Sequence, residues 1–427
     1  MTRGRFPPPS PLLDEARRLL RHPHRPGPGE ESPAGPSEAL AAVEPLLARL
    51  GITRVGDLTA LDTIGIPVWF ACRPNARSLS VAQGKGLTDG QARLSAIMEA
   101  AEAAVAERTR PCIDGFASLV AMRRGGLSTV PLERMPRVTR SRLDPDRERA
   151  WVSALSLRHG ERVFVPYELV GLDMRTDMPW DHSAFRMTSV GLAAGIGLAR
   201  PFLHALLELV ENDATAPFER FGPSRSTLRP LAHRIGESAA LDDAVARLGR
   251  AAVAVRFADC TGEIPLPVVA AFVEWPDAAS GATATRWCAG FACRSDPLDA
   301  ALAALLEAVQ SRLTNIAGAR DDIAPRDYRS ASRPRFSECG DAPSIGTLAA
   351  RHPGSGGGLM ADIRHALGAI FGAGIADVFL APLEVAGTTV RVVRVLATEL
   401  AATSPYGAAG IDARTVGPPL PDAAVSA

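Results

Sequence analysis

The feature that most constrains this chain is a pair of polar residues that recurs in three separate apolar helical segments. The pairs are Glu99 and Glu102 in "SAIMEAAEAAVAE", Glu208 and Glu211 in "HALLELVENDA", and Glu307 and Gln310 in "ALAALLEAVQSRL". Residues three apart share one face of a helix, where two carboxylates repel each other and are costly to bury without a cation. The recurrence predicts that the three helices converge on one cleft and present their glutamates to a positively charged ligand.

Three amphipathic helices whose glutamates merely face water are the alternative, because that is the commonest setting of a helical Glu. In "ALLELVE", however, apolar residues surround Glu208 on every side of the helix, which favours burial. Each segment also follows a glycine-containing stretch, namely "GKGLTDG", "GLAAGIGLA" and "GFACRSD". These shared features favour one common site over three separate surfaces.

The composition is that of a globular protein, with 46% hydrophobic and 22% charged residues among 427 and a formal net charge of zero. A neutral chain gives no indication of a nucleic-acid or anionic-membrane partner. The first residues lack an apolar signal segment, and no apolar window is long enough to span a membrane. The six cysteines form no C-x-x-C pair and are interpreted as reduced thiols. We therefore expect a cytoplasmic protein without a membrane span.

A hard divalent cation bound together with a polyphosphate is the ligand that best suits converging carboxylates. Mg²⁺ prefers oxygen ligands and often keeps phosphate oxygens among them, and the carboxylate segments have Arg77, Lys85 and Arg312 nearby. There is no G-x-x-x-x-G-K-[ST] loop and no G-x-G-x-x-G motif, and "GKG" at 84–86 is too short to be specific. No Cys/His cluster indicates zinc, and no G-x-S-x-G elbow occurs.

The order of predicted elements indicates an α+β fold. Strands are expected over "IGIPVWFACRP", "SLSVAQGKG", "AAVAVRFADC" and "IPLPVVAAFVEW", with a hairpin over "RERAWVSALSL" and "ERVFVPYELV" and a late pair over "ADVFLAPLEV" and "TTVRVVRVLAT". Antiparallel strand pairs that alternate with long apolar helices are typical of this class. We expect a flexible Pro/Arg-rich arm over residues 1–37, with a possible short helix at "LLDEARRLL". One catalytic domain over 38–403 and a loop-like tail over 404–427 follow.

Four segments resemble the YcaO family, in the family's order and over about residues 50 to 400. They are "SLSVAQGKGLTDGQARLSAIMEAAEA", "SVGLAAGIGLARPFLHALLELVENDA", "GFACRSDPLDAALAALLEAVQSRLTNIAGARDD" and "VRVVRVLATELA". The resemblance implies an enzyme that uses ATP and Mg²⁺ to phosphorylate the oxygen of a peptide backbone amide. Attack by a Cys, Ser or Thr side chain then gives an azoline, and attack by a sulfide donor gives a thioamide. The implied fold is YcaO-like, with mixed and antiparallel sheets and apolar helices around a central nucleotide cleft.

The resemblance also implies which residues line that cleft. The metal ligands would be Glu99, Glu102, Glu208, Glu211 and Glu307. The nucleotide-binding residues would be Ser95, Glu99, Glu208, Gln310 and Arg312, joined by the nearby cations Arg77 and Lys85. The catalytic residues would be Glu102, Glu211 and Arg312. Catalysis would consist mainly of electrostatic positioning of phosphates.

Three features depart from the family pattern. Asn212 stands where Arg is usual and Val190 where Asn is frequent, and these departures support a non-catalytic YcaO-like scaffold as an alternative. Azoline-forming members typically end in Pro-x-Pro-x-Pro, whereas this chain has only Pro419-x-Pro421 and continues beyond it, which argues against cyclodehydration.

The stretch "ITRVGDLTALDTIGIPVWFACRPNARSLSVAQGKG" resembles members associated with TfuA proteins, which are linked to peptide thioamidation. The resemblance thus implies a thioamide-forming homodimer that acts on a ribosomally made precursor peptide or protein, with a TfuA-like partner for sulfur delivery. An azoline-forming cyclodehydratase is the alternative enzyme, and it would need a ubiquitin-activating-like partner to capture the leader peptide.

Overall fold

Three β-sheets and the helices packed on them are described by this computed structural model, which covers residues 6–21, 35–138, 141, 143–222, 227–276, 285–320, 334–337, 341–352, 354–383, 385 and 387–400. The strands are β1 Arg54–Asp57, β2 Val68–Cys72, β3 Val81–Lys85, β4 Gly115–Ser118, β5 Glu148–Ser156, β6 Arg162–Pro166, β7 Leu192–Ile196, β8 Thr227–Leu231, β9 Ala254–Asp259, β10 Val268–Pro276, β11 Thr285–Cys293, β12 Arg335–Phe336, β13 Val378–Leu383 and β14 Val390–Ala397. The helices are α1 Pro11–Arg21, α2 Pro36–Val43, α3 Asp89–Ala106, α4 Thr109–Cys112, α5 Leu119–Arg124, α6 Tyr167–Val170, α7 Ala199–Phe221, α8 Ala239–Arg250, α9 Pro297–Ala317, α10 Thr347–Arg351 and α11 Leu359–Gly372.

The three sheets are mainly antiparallel. The first has the order β1-β2-β3, the second β11-β10-β9-β8-β12, and the third β4-β5-β13-β14-β7 with β6 also paired to β5. Every pairing between these strands is antiparallel except that of β12 with β8. The predicted α+β class is confirmed, and so are the hairpin β5–β6 and the late pair β13–β14.

One local unit occurs three times, once in each sheet. Strands β3, β7 and β11 each lie at the end of their sheet in the described part of the chain. Each is followed after a short turn by one of the long glutamate-bearing helices, α3, α7 or α9. The glycine-containing stretches noted in the sequence therefore cover the end or the whole of a strand and the turn that leads into the helix. Strands β7 and β11 were not predicted as strands.

The starts of two of these helices follow directly from the sequence. Thr88 and Gln91 form a capping box at α3. The Thr88 side chain accepts a hydrogen bond from the Gln91 backbone N–H, and the Gln91 side chain accepts one from the Thr88 backbone N–H. Asp296 caps α9 by accepting the backbone N–H groups of Leu298 and Asp299, and Pro297 occupies the first turn as predicted.

Two glycines allow the helices to lie directly on their strands. A Cβ at Gly84 of β3 would lie 2.0 Å from the backbone nitrogen of Ala96 in α3. A Cβ at Gly290 of β11 would lie 2.2 Å from the carbonyl oxygen of Ala304 in α9. Both distances are far below van der Waals contact, so only glycine permits this approach. The close packing fixes the height of the glutamates above the strand.

The N-terminal segment differs in part from the flexible arm expected over residues 1–37. Residues 11–21 form the possible short helix, and its residues Leu13, Ala16 and Leu19 are buried in the core beneath β5 and β13. An ion pair between Glu15 and Arg391 of β14 also attaches this helix. Burial of one apolar stripe is sufficient to dock a helix of this length. Residues 1–5, 22–34 and the tail at 404–427 lie outside the described residues, so the domain boundaries at 37/38 and 403/404 stay predictions.

Two further expectations concern the membrane and the cysteines. Across the described ranges no helix has both the length and the apolar character needed to cross a bilayer. Cys72, Cys112, Cys260, Cys288 and Cys293 are free thiols, as expected, and Cys339 lies outside the described residues.

Candidate functional site

The three glutamate helices meet around one cleft. Lys85, the last residue of β3, places its Nζ 2.9 Å from Oε2 of Glu307 on α9. The charge of Glu99 on α3 acts on Glu102 and on Glu208 of α7, and the charge of Glu307 acts on Glu211 of α7. The predicted convergence is therefore seen in the structure, and the alternative of three separate water-facing surfaces is wrong.

The second polar residue of each pair binds the edge strand of the next unit. Oε1 of Glu102 on α3 accepts the backbone N–H of Ala194 in β7 at 2.8 Å. Oε2 of Glu211 on α7 accepts the N–H of Cys293 in β11 at 3.1 Å. Nε2 of Gln310 on α9 donates to the carbonyl of Gln83 in β3 at 3.3 Å. The contacts run α3 to β7, α7 to β11 and α9 to β3, and so close a ring of three units around the cleft.

The difference between Glu and Gln in this ring follows from its partners. Glu102 and Glu211 each face a backbone N–H, which needs an acceptor, and a carboxylate supplies one. Gln310 faces a carbonyl oxygen, which needs a donor that a carboxylate lacks. The third motif therefore ends in Gln because the edge of β3 presents an acceptor at this point.

The first residue of two pairs binds its own strand instead. Oε2 of Glu208 accepts the N–H of Gly191, directly before β7, at 3.2 Å, and Oε1 of Glu307 accepts the N–H of Phe291 in β11 at 3.4 Å. Gly191 has φ of +77°, a conformation that favours glycine, and a Cβ there would lie 2.3 Å from the Val395 carbonyl oxygen. These backbone contacts hold the carboxylates in place before any ligand arrives.

The glutamates lie in a deep cleft rather than in the solid core. Glu99 is exposed and the other four glutamates are half-buried, so solvent reaches all five side chains. A narrow cleft admits a water molecule without restoring bulk solvation. Ser95 lies on the same face of α3 as Glu99, one turn earlier.

Burial is the largest cause of the shifted pKa values in the cleft. Desolvation raises the pKa of Glu99, of Glu102 and of Glu211 above the usual range, and neighbouring carboxylates add to each of these shifts. Burial likewise raises the pKa of Glu208 to about 7, against the opposing charge of Arg394. The protein's own cations thus leave the carboxylate charge incompletely balanced.

Four residues that the sequence analysis did not single out contribute to this electrostatic environment. Arg320 acts on Glu99, Arg294 acts on Glu211, and Arg394 of β14 acts on Glu208. His204, one turn before Glu208 on α7, is exposed to the cleft. The protein atoms around its ring and the charges of Arg294 and Lys85 lower the pKa of its imidazole, which is therefore neutral at physiological pH. An alignment of the three units would have found Arg294, because it follows β11 as Lys85 ends β3.

Two predicted nucleotide-binding arginines lie elsewhere. Arg312 is bound through Nε and one terminal nitrogen to Asp62 at 2.7 and 3.0 Å, and its guanidinium stacks 4.0 Å from the Trp275 ring centroid. It is five residues after Glu307, which turns it to another face of α9.

Arg77 donates to the backbone carbonyl of Glu107 and pairs with Asp173 at 3.3 Å, beyond the C-terminal end of α3. Both guanidinium groups thus pair with carboxylates outside the cleft, and the expectation that Arg312 and Arg77 line the nucleotide site stays a prediction.

The donor set fits a hard divalent cation that shares its ligands with another molecule. In the described part of the chain, no three His, Cys, Asp or Glu side chains come close enough to hold one metal ion by themselves. Mg²⁺ is usually bound through one or two carboxylates with phosphate oxygens and waters. Carboxylates whose pKa values are raised by burial gain stability when a cation is added, so the cleft suits a metal that arrives with a polyphosphate.

The two departures from the family pattern have different settings. Val190 is buried among apolar residues next to Gly191, where it contributes to the core between α7 and β14. Asn212 lies on α7 directly after Glu211 and is half-buried. Neither residue displaces a glutamate of the cleft.

Comparisons with known proteins agree with this geometry. A family model described as "YcaO cyclodehydratase, ATP- and Mg²⁺-binding" matches residues 83–401. An uncharacterized protein in the tfuA 3′ region of Rhizobium leguminosarum bv. trifolii is 37% identical over 369 residues, which cover 84% of this chain and 86% of that protein. An uncharacterized protein of Methanothermobacter thermautotrophicus is 33% identical over 300 residues, or 69% of this chain and 73% of its own.

Solved structures show the same fold. A heterocyclase in complex with substrate and cofactor superimposes with a TM-score of 0.67 at 18% identity, covering 90% of this chain and only 55% of that longer chain. The YcaO protein from Methanopyrus kandleri, bound with AMPPCP and Mg²⁺, superimposes with a TM-score of 0.61 at 24% identity, covering 86% of this chain and 91% of its own.

These matches confirm the resemblance noted in the sequence, including the relation to the tfuA region. The family model spans the glutamate helices and the late strand β14, which together build the cleft. The chain belongs to the YcaO family, whose members are described as binding ATP and Mg²⁺.

Proposed function

We propose that this protein binds ATP with Mg²⁺ in the glutamate cleft and uses them to activate the backbone amide of a peptide or protein. The observation that carries the proposal is the ring of three strand–helix units, which brings five glutamates and several cations to one place. Support also comes from the family description and from the M. kandleri YcaO structure, which contains AMPPCP and Mg²⁺.

The acidic and basic side chains of the cleft would bind different parts of the ligand. Glu99, Glu102, Glu208, Glu211 and Glu307 would hold the metal ions. Lys85, Arg294 and Arg320 would face the phosphates, with Ser95 and Gln310 beside them. When bound, the nucleotide supplies the phosphoryl group that turns the amide oxygen into a leaving group, and the metal neutralises its charge. The chain itself contributes positioning and a water-poor, preorganised electrostatic setting.

The product that we favour is a thioamide. The relative in the tfuA 3′ region supports an association with a TfuA-like protein, and an external sulfur nucleophile needs only access to the activated carbon. A TfuA-like partner for sulfur delivery, a precursor peptide substrate and a homodimer are parts of the same proposal. An azoline is the second candidate, supported by the "cyclodehydratase" description and by the heterocyclase match. The cytoplasmic location expected from the sequence stays a prediction.

Mass spectrometry of a precursor peptide tests the assignment. The peptide is incubated with the protein, Mg-ATP and sulfide, with and without a TfuA-like protein. Exchange of oxygen for sulfur raises the peptide mass and supports the thioamide, whereas loss of water lowers it and would establish the azoline instead. Absence of both products, together with ATP consumption that does not depend on peptide, would favour the non-catalytic scaffold suggested by Asn212 and Val190.

A further inference from the structure

A second charged cluster lies at the far side of the third sheet, between α1 and the turn that joins β5 to β6. A cavity of about 530 Å³ opens there. Its charged lining residues are Asp14, Arg17, Arg18, Arg21, Glu161 and Arg162. We call this cavity the arginine groove. Four guanidinium groups face two carboxylates, so the groove carries an excess of positive charge although the whole chain is neutral.

Arg162 is the fixed part of the arginine groove. Its Nε donates to the Ser153 hydroxyl at 2.9 Å, one terminal nitrogen donates to the Pro7 carbonyl at 2.8 Å, and the guanidinium stacks 4.6 Å from the Phe164 ring centroid. The other terminal nitrogen is buried and makes no hydrogen bond in the structure, because Asp114 approaches it only to 3.8 Å. Burial lowers the pKa of Arg162, and the charge of Arg17 lowers it further against that of Asp114.

The other part of the arginine groove is the polar face of α1. Arg18 and Arg21 are exposed and lie about one turn apart, while Arg17 is half-buried and pairs with Asp14 at 3.2 Å. A row of guanidinium groups along a helix, opposite one fixed guanidinium, suits several separate carboxylates better than one compact anion. Arginine binds carboxylates through paired hydrogen bonds. An extended acidic segment would therefore match the charge of the groove.

We propose that the arginine groove docks an acidic segment of the polypeptide substrate, at a distance from the residue that is modified. The identity of the occupant as substrate rests on the function proposed above, whereas the binding of an acidic polypeptide does not. The groove lies beside β6, and the glutamate cleft lies beside β7, at opposite ends of one sheet. Four strand spacings separate these strands, or about 19 Å. An extended chain needs at least about six residues to cover that distance.

Fluorescence anisotropy with a labelled hexaglutamate peptide tests the docking site directly and requires no catalysis. We expect saturable binding at low salt that weakens at physiological salt. The double substitution Arg18→Glu/Arg21→Glu should weaken it at least about tenfold, because two attractive contacts become repulsive. Both residues are exposed, so the melting temperature should not change. Arg162→Gln should also weaken binding.

The matched control is Arg123→Glu/Arg124→Glu, which makes the same charge change on the exposed face of α5. Equal weakening of hexaglutamate binding in this control would mean that the peptide is attracted by the positive charge of the whole surface, and the groove would then have no special role. Inorganic phosphate, used in place of the peptide, tests whether the groove binds a compact anion rather than an extended acidic segment. Saturable binding of phosphate without binding of hexaglutamate would overturn the proposal, as would no binding of hexaglutamate at all. None of these results depends on whether the protein forms a thioamide.

Discussion

The ammonium group of Lys85 lies 2.9 Å from the carboxylate of Glu307, although 222 residues separate them along the chain. Lys85 ends the edge strand of the first sheet, and Glu307 lies on the helix that follows the edge strand of the second. The contact joins units that belong to two different sheets, so this part of the cleft exists only when those sheets are assembled. The following predictions test how that assembly relates to ligand binding.

Mg-ATP should raise the melting temperature, whereas ATP with a chelator should raise it much less. A ligand that binds only the folded state stabilises that state by mass action. Glu102→Gln and Glu211→Gln should reduce this response, because the amide oxygen can still accept the strand N–H while the negative charge is lost. Thermal unfolding of each variant, with exposed Glu133→Gln as the control, measures the effect. An unchanged response in both variants would remove these residues from the metal site.

Gln310→Glu should destabilise the protein by about 2 kcal/mol, since it places a carboxylate oxygen against the Gln83 carbonyl and leaves that acceptor unpaired. Glu102→Gln should cost less, because an acceptor remains in place. Gln310→Met, which removes the donor without adding charge, should fall between wild type and Gln310→Glu. Urea unfolding of the three variants measures the order of their free energies of unfolding. If Gln310→Glu proved as stable as wild type, the complementarity argued for the ring would be incorrect.

Gly84→Ala and Gly290→Ala should each lower stability by about 3 kcal/mol and weaken the response to Mg-ATP, because the added methyl pushes the helix off its strand. Gly368→Ala in α11 is the control: nothing lies within 4 Å of its Cβ position, and Ala favours a helix more than Gly does. Calorimetry of the three variants, with and without Mg-ATP, checks the prediction. A tolerated Gly84→Ala would show that the helix can move without disturbing the glutamates.

Arg312→Ala should act on stability rather than on ligand binding. It leaves the Asp62 carboxylate, whose side chain is 2% exposed, without its guanidinium partner, at a cost of about 3 kcal/mol. Asp62→Asn should cost a similar amount, and the rise in melting temperature caused by Mg-ATP should persist in both. A variant of normal stability that no longer responds to Mg-ATP would return Arg312 to the nucleotide site.

The stability of the ligand-free protein should depend on pH, and two of the groups that contribute to this dependence, Glu208 and His204, should do so with opposite slopes. Burial raises the pKa of Glu208 from 4.5 to about 7, so the folded state binds the extra proton between these values, and the free energy of unfolding falls as pH rises through them. The surroundings of His204 in the cleft and the charges of Arg294 and Lys85 lower its pKa from 6.5 to about 3, so the unfolded state binds the proton, and the free energy of unfolding rises with pH over that window.

Urea unfolding across this pH range, in chelator, separates the two effects. The difference between wild type and Glu208→Gln should slope downward between about pH 4.5 and 7. The difference between wild type and His204→Gln should slope upward between about pH 3 and 6.5. Flat differences would mean that these groups titrate in the folded protein as they do in water.

The carboxylates could be found from the sequence because a helix repeats its faces with a fixed period, and Glu-x-x-Glu in an apolar run is conspicuous. Strands β7 and β11 could not, since "LAAGI" and "WCAGFAC" are rich in Ala and Gly, which strands disfavour. Small residues are needed in these strands because a helix packs directly against them. Nearness in sequence places Arg77 with the cleft and the family resemblance places Arg312 there, whereas Arg320 and Arg394 are recognised as part of its electrostatic environment only in the structure.

The ring of contacts has a consequence for solubility as well as for ligand binding. Strands β3, β7 and β11 are sheet edges, and an uncovered edge offers its N–H and C=O groups to any other chain, which is a common route to aggregation. Glu102, Glu211 and Gln310 occupy these groups at Ala194, Cys293 and Gln83. Loss of one helix from the ring would uncover the edge that it protects. The residues that assemble the cleft therefore also keep three strands from pairing with a second molecule.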